Sequence, residues 1–254
     1  MAMPTRVVVP IDDSDPQSLK IALGYAQILA DNASPKAGKV ILLTHTKAQM
    51  QSSSLASHLG AQATKALSGG KPVRLNGDLM LQHETMQTLR YGANNAVIVV
   101  FYAEDKILDF VDGLAGVAGV VAVPWPLDGA KGWTDRWTPR VHGQPVQAPA
   151  PLLTDPVIEQ ALRSLSRMVN LSHGVMNPRD KQHAEETLRI LRAKGHSAPG
   201  DRIKSWAVRE GWKPGAAEEL AKLAGRIFAL KTKPSLAAFH EPDARYARWK
   251  GGGD

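Results

Sequence analysis

The sequence contains no cysteine. Disulfide bonds, thiol catalysis and thiolate metal sites are therefore excluded, and the composition suits a reducing compartment. No hydrophobic run approaches the roughly 20 residues that a membrane-spanning helix needs, so no membrane partner is expected. The first residues, MAMPTRVVVPIDD, hold one basic residue and soon meet acids, which argues against a secretory signal. We therefore expect a cytoplasmic protein.

The best-known catalytic and phosphate-binding motifs are also missing. The chain has no G-x-G-x-x-G after its first apolar segment, no phosphate loop ending in Lys and Ser or Thr, and no G-x-S-x-G. The hydrophobic fraction of 43% and the charged fraction of 22% are those of an ordinary globular protein. Any chemistry must therefore come from residues that the fold brings together.

The first part of the chain alternates short apolar segments with helical patterns. The segments KVILLT (39–44), NAVIVVFY (95–102) and GVVAVP (119–124) are rich in β-branched residues and predict buried strands. We predict a Rossmann-like three-layer α/β domain over residues 1–144, with a five-stranded, mostly parallel sheet. In this prediction residues 72–75 form a weak strand and residues 84–91 form a helix.

Polar residues follow the predicted strands at their carboxyl ends, where open α/β sheets bind ligands. The candidate ligand-binding residues are Asp12, Asp13, Ser14, Asp15, His45, Thr46, Glu104, Asp105 and Trp125. Several carboxylates could converge there on a metal ion or a sugar hydroxyl. The alternative is that the acids only cap helices at their amino ends.

The segment VVVPIDDSDPQSLKIALGYAQILA, within residues 6–30, resembles the opening strand, loop and helix of the universal stress protein group. The resemblance implies an adenine nucleotide as ligand, with Asp12 or Asp13 against the adenosine ring or ribose. The group's phosphate signature has two glycines three apart and a third some ten residues later. This chain has Gly113 and Gly116 but Pro126 at the third position, so that signature is not matched.

The second part of the chain differs in composition and charge. The segment GQPVQAPAP predicts a semi-rigid linker over residues 145–152. Amphipathic helices predict a small all-α domain over residues 153–232, and a basic, aromatic tail over 233–254 is expected to be flexible. Residues 151–254 hold 18 Lys+Arg against 12 Asp+Glu, whereas residues 1–150 hold 13 against 12. The basicity therefore belongs to the second part.

A basic helical domain suits a phosphate-rich partner, and aromatic side chains between cations are typical of single-strand contacts. The candidate nucleic-acid-binding residues are Arg163, Arg167, Arg189, Arg192, Lys222, Arg226, Arg245, Tyr246, Arg248, Trp249 and Lys250. In the alternative, the tail packs its rings against its own domain.

The leading hypothesis is a non-enzymatic binding or adaptor protein. Its first domain would hold a nucleotide-like ligand or a protein partner, and its helical domain would contact nucleic acid or an acidic protein. One alternative is an enzyme acting on a nucleotide or phosphoester, with Mg²⁺ held by Asp12, Asp13 and Asp105. A second alternative is a protein-interaction module without a small ligand.

Overall fold

The computed structural model describes residues 3–51 and 53–252. The chain divides into two compact units, Met1–Pro149 and Ala150–Asp254. The division lies within the segment 145–152, where the sequence predicts a linker. The first unit is called the α/β unit below and the second the helical unit.

The α/β unit contains a mostly parallel seven-stranded sheet. Its strands are β1 (Thr5–Val8), β2 (Lys39–Thr44), β3 (Val73–Asn76), β4 (Leu79–Thr85), β5 (Ala96–Ala103), β6 (Val117–Pro124) and β7 (Arg140–Val141). Its helices are α1 (Pro16–Asn32), α2 (Ser54–Leu59), α3 (Ala61–Ser68), α4 (Asp105–Asp112) and α5 (Lys131–Trp137). The strand order is β3-β4-β2-β5-β6-β1-β7, and only β3 runs antiparallel to its neighbour.

The predicted count of five strands is wrong, and so is the predicted helix at 84–91. Residues 79–85 form strand β4, in which Leu79, Leu81 and Thr85 are buried with the two-residue period of a strand. The two-residue turn Gly77-Asp78 joins β3 to β4, with Gly77 at φ +53°. Gly-Asp between two strand-like segments is a hairpin signal, because glycine adopts a positive φ without steric cost.

Two hydrophobic clusters cover the two faces of the sheet, because successive residues of a strand point to opposite sides. Val7 belongs to the cluster that contains the buried residues of α1, with Leu55 of α2. Val8 belongs to the other cluster, with Ile107 of α4 and Trp133 of α5. The unit therefore has three layers, with α1 and α2 on one face and α4 and α5 on the other.

In the helical unit the described residues form helices and no strand. The helices are α6 (Pro156–Met168), α7 (Pro178–Ala193), α8 (Gly200–Arg209), α9 (Pro214–Phe228) and α10 (Pro242–Gly251). Asp155 caps α6 by accepting hydrogen bonds from the amides of Val157 and Ile158. Proline at a first helical position and a capping side chain before it are the signals that locate α6 and α7 in the sequence.

The expectation of a flexible tail over 233–254 is wrong for residues 242–251, which form α10. Trp249 of this helix is only 6% exposed. Arg245 donates hydrogen bonds to Glu186 at 2.9 Å and Thr187 at 3.0 Å, so α10 is fixed on α7. Gly253 and Asp254 lie outside the described residues.

Candidate functional site

The carboxyl ends of β2 and β5 lie side by side, and the chain leaves them toward opposite faces of the sheet. The segment after β2 leads to α2, whose Leu55 packs in the cluster of α1. The segment after β5 leads to α4, whose Ile107 packs in the opposite cluster. Where neighbouring connections diverge in this way, an open α/β sheet has a crevice, and ligands bind there.

Tyr102, near the end of β5, occupies this point in a left-handed conformation with φ +64°. That backbone conformation is uncommon for a non-glycine residue and costs energy. The side chain is 7% exposed, and its hydroxyl accepts a hydrogen bond from the amide of Leu55 at 3.3 Å. The carbonyl oxygen of Tyr102 accepts from His45 Nε2 at 3.0 Å. Side-chain and main-chain bonds therefore hold the unusual backbone in place.

Asp13 joins the same group from the loop after β1. Its Oδ2 atom accepts a hydrogen bond from Ser54 Oγ at 2.5 Å, and Ser54 Oγ lies 2.9 Å from the hydroxyl of Tyr102. Because Ser54 uses its one hydroxyl hydrogen in the bond to Asp13, it accepts the hydrogen bond from the hydroxyl of Tyr102. His58 Nε2 adds a bond to the carbonyl oxygen of Asp13 at 2.8 Å. We call Asp13, His45, Ser54, His58 and Tyr102 the edge network.

Glu104 and His45 form the more open side of the crevice. His45 Nδ1 lies 3.8 Å from Glu104 Oε1, and their side chains are 25% and 45% exposed. Thr46 is exposed, and its amide donates to Gln49 Oε1 at 3.1 Å. Glu104 and Thr46 are therefore accessible to a ligand from solvent, whereas His45 also holds the backbone of Tyr102.

The other predicted acids are engaged in local contacts. Asp12 accepts from the hydroxyl of Ser14 at 2.5 Å and from its amide at 2.9 Å, and these bonds lower the pKa of Asp12. Asp15 caps α1 by accepting from the amide of Gln17 at 2.8 Å. The capping interpretation therefore holds for Asp15, whereas Asp12 closes a turn with Ser14.

Asp105 has a structural role at the start of α5. Its two carboxylate oxygens accept from the amides of Gly132 at 3.1 Å and Trp133 at 2.8 Å. Within residues 3–51 and 53–252, no group of three or more His, Cys, Asp or Glu side chains is arranged to hold a metal ion. The structure thus does not bring Asp12, Asp13 and Asp105 together as the magnesium hypothesis requires.

Trp125 lies at the same edge, directly after β6, with 57% of its surface exposed. Its amide donates to the carbonyl oxygen of Ala103 at 3.1 Å. Four residues later, the carbonyl oxygen of Gly129 accepts from the amide of Asp105 at 2.9 Å. The loop that begins at Trp125 is therefore bonded to the residues on both sides of Glu104, which holds its backbone next to the carboxyl end of β5.

Sequence reasoning missed Ser54, His58 and Tyr102. Tyr102 was detectable as a polar residue at the end of the most apolar strand, and Ser54 and His58 lie four apart on one helical face. It also missed His83, whose Nε2 lies 2.9 Å from Thr44 Oγ1. Burial lowers the pKa of His83. Its contact belongs to the ends of β2 and β4, next to the edge network.

In the helical unit most of the predicted cations have partners in the protein. The ion pairs join Arg163 to Glu159 and Glu210, Arg189 to Glu185, Lys222 to Glu218 and Glu219, and Arg245 to Glu186. Arg192 donates to the carbonyl oxygen of Leu230 at 2.7 Å. Arg167, Arg226, Arg248 and Lys250 are exposed. The available positive surface is therefore smaller than the sequence suggests.

The aromatic residues of α10 pack on their own unit, as the alternative interpretation of the tail holds. The hydroxyl of Tyr246 lies 3.0 Å from His196 Nε2, and His196 Nδ1 lies 2.6 Å from Asp155. Burial alone would raise the pKa of Asp155, but its hydrogen bonds to His196 and to two amides lower it overall. Trp249 is buried, so its ring offers little surface on which a nucleic acid base could stack.

Comparisons with known proteins concern the helical unit alone. Residues 154–250 match the family described as Domain of unknown function (DUF1889). The match covers α6 to α9 and all of α10 except its last residue. No curated protein and no solved structure matches the chain. In the part of the chain that the structure describes, no helix has the length and apolar character to cross a membrane.

Proposed function

We propose that this protein is a non-enzymatic binding protein with two binding surfaces. The α/β unit, taken as a Rossmann-like domain, holds a ligand that contains adenosine in the crevice between the ends of β2 and β5. The helical unit contacts nucleic acid. The observation that carries the first part is the edge network, which joins Asp13, Ser54 and Tyr102 from three separate segments.

A ligand crevice accounts for features that stability alone does not require. The conformation of Tyr102 costs about 1–3 kcal/mol, and such costs concentrate at binding sites. The hydrogen bonds of the network order these side chains before any ligand binds, so binding loses less conformational entropy. Glu104 and His45 remain partly exposed beside it as hydrogen-bonding groups.

Thermal unfolding of the full chain with adenosine, AMP or ATP, with and without Mg²⁺, tests this part. We expect at least one compound to raise the melting temperature, since a ligand at 100 times its dissociation constant stabilises by about 2.7 kcal/mol. Ser54→Ala should reduce the rise, and Ser57→Ala, on an exposed position of the same helix, should not. If none of the three compounds raises the melting temperature, the first part of the proposal is wrong.

The second part is supported by cations near the carboxyl-terminal end of α9. Arg226, Lys231 and Lys233 are exposed, and among the described residues none of them forms an ion pair. Unpaired cations release counterions when they contact phosphates, which makes binding depend on salt. The pairs of Lys222 with Glu218 and Glu219 make that nearby side chain a suitable comparison.

Binding of the full chain to labelled single-stranded RNA, single-stranded DNA and duplex DNA at several salt concentrations tests this part. Replacement of Lys231 and Lys233 by Ala should lower the slope of the logarithmic salt dependence by about 2. Lys222→Ala should change it less. Weak binding that does not depend on salt would contradict nucleic acid contact and would favour a protein partner.

A further inference from the structure

The α/β unit has a cavity at the opposite edge of its sheet from the edge network. The cavity has a volume of about 290 Å³ and is lined by the starts of β1 and β6, the end of α4 and the loop that follows α4. Arg6 of β1 lies beside Val120 of β6, since the two strands are parallel neighbours. The strands begin here, whereas the edge network lies where strands end, so the two places are separate.

Asp112, at the end of α4, lines this cavity and is already fully engaged. Its side chain is 2% exposed. Its Oδ2 atom accepts from Trp137 Nε1 at 2.8 Å and from Arg136 Nη1 at 2.9 Å. Its Oδ1 atom accepts from Trp133 Nε1 at 3.3 Å and from Arg6 Nη2 at 3.4 Å. A carboxylate has about four acceptor positions, so Arg6 takes the last of them through the longest bond.

Arg6 is held in place without using all of its donors. The side chain is 10% exposed, its guanidinium carbon lies 3.5 Å from the centre of the Trp137 ring, and its Nη1 atom donates to the carbonyl oxygen of Pro4 at 3.0 Å. Its Nε atom is buried and has no hydrogen-bond partner among the residues that the structure describes. Burial lowers the pKa of Arg6, and the contact with Asp112 opposes this effect. A buried donor without an acceptor is uncommon in a native protein, and here its side chain lines a cavity.

Most of the other walls of the cavity are apolar. Val111, Leu114, Val117 and Val120 contribute to them. Ligand sites commonly combine apolar walls with a few polar groups that fix the orientation of the ligand, and their volumes begin at about 300 Å³. The cavity therefore suits a small molecule with an apolar body.

The charges beside the cavity are balanced. Arg136 contacts Asp109 and Asp112, and Arg6 contacts Asp112, so two cations meet two carboxylates. A bound anion would add an unpaired negative charge close to Asp112, and a bound cation would face Arg6. Burying an unpaired charge is costly. The ligand that fits is therefore uncharged and supplies a hydrogen-bond acceptor.

We propose that this cavity binds a small uncharged carbonyl compound, such as an aliphatic amide, whose oxygen accepts a hydrogen bond from the guanidinium of Arg6. The apolar part of the ligand lies against the valine side chains. This site is separate from the crevice between β2 and β5 and does not depend on the function proposed for that crevice.

NMR of the full chain titrated with hexanamide, hexanoate and hexylammonium tests the inference, because chemical shifts detect the weak binding expected of such small probes. We expect hexanamide to shift the amide signals of residues 5–6 and 111–120, and to bind at least about tenfold more tightly than either charged probe. A charged probe that binds as tightly as hexanamide, or no shift in these segments, would overturn the inference and leave the crevice proposal intact.

Two substitutions test Arg6 and the cavity separately. Arg6→Met removes the donors and a positive charge, so hexanamide should bind about tenfold more weakly, and hexylammonium should bind more tightly than to the unmodified chain. Arg140→Met, at an exposed position of the neighbouring strand β7, should change neither. Val117→Phe narrows the cavity, keeps Arg6 and should also weaken hexanamide binding, which provides a test even if Arg6→Met does not fold. Unchanged hexanamide binding in either Arg6→Met or Val117→Phe would overturn the inference.

Discussion

The two units of this protein differ in how deeply their ion pairs are buried. In the α/β unit Arg136 pairs with Asp112, and the two side chains are 3% and 2% exposed. In the helical unit the ion pairs are more exposed, both those between residues four apart, such as Arg163 with Glu159, and those between distant residues, such as Arg163 with Glu210. Breaking a buried pair costs far more than breaking an exposed one, because the charge that remains has lost its water as well as its partner.

The largest expected effect belongs to the buried ion pairs of the α/β unit. Arg136 is 3% exposed and contacts Asp109 at 2.8 Å and Asp112 at 2.9 Å. Arg136→Ala should lower the free energy of unfolding by about 3–5 kcal/mol, because it leaves buried carboxylates without that partner. Arg189→Ala, which removes the partly exposed pair with Glu185 on α7 of the helical unit, should cost less than about 0.5 kcal/mol in denaturant unfolding. Similar losses of unfolding free energy in the two variants would contradict the contrast between the units.

The next largest loss of unfolding free energy is expected at α10, at the end of the helical unit. Trp249→Ala should lower the free energy of unfolding by about 3 kcal/mol, because the indole is buried and its removal leaves a cavity. Arg248→Ala, at an exposed neighbouring position, should be close to neutral. Denaturant unfolding monitored by circular dichroism measures both. If Trp249→Ala left the free energy of unfolding unchanged, the tail would be the flexible segment that the sequence suggests and not a packed helix.

A smaller effect is expected at the edge network. Tyr102→Phe should cost about 1–2 kcal/mol, because the amide of Leu55 and the hydroxyl of Ser54 lose a partner. Tyr91→Phe is the matched control, since the side chain of Tyr91 is 92% exposed. Equal thermal unfolding of the two variants would show that the network does not hold the crevice together.

The smallest effect depends on pH. The pKa of Asp155 is lower in the folded protein, so its contribution is present above the unfolded pKa and is lost as pH falls through the folded pKa. Asp155→Ala should cost about 1 kcal/mol at pH 7 and less in acid. Asn177→Ala removes the cap of α7, which does not titrate, and should cost the same at both pH values. A cost of Asp155→Ala that rises in acid would contradict this sign.

Local signals allowed the helical unit to be predicted well up to α9. Asp155 with Pro156 and Asn177 with Pro178 mark the starts of α6 and α7, as capping chemistry requires. Helix α10 was missed because its stability comes from Trp249 and Arg245, which contact residues far along the chain. Nothing in the composition of ARYARWK distinguishes a packed helix from a basic tail.

In the α/β unit most strands were predicted, but the contacts between distant residues at the site were not. Apolar segments predicted β2, β5 and β6, and the weak strand expected at 72–75 corresponds to β3, but β4 was missed because residues 84–91 have a helix-like composition. Asp13, His45 and Glu104 were predicted as site residues from their places after strands. The pairing of Tyr102 with Ser54 could not be predicted, because it depends on β5 lying next to β2 and on a backbone angle that no local pattern encodes.

Hydrogen exchange of the full chain with and without saturating adenosine tests the central claim, that the edge network forms a ligand crevice. We expect slower exchange at the amide of Leu55, which is bonded to Tyr102, and in the loops at 45–53, 103–105 and 125–130. Exchange in α6 to α9 should not change. Slower exchange confined to the helical unit, or none anywhere, would contradict the account.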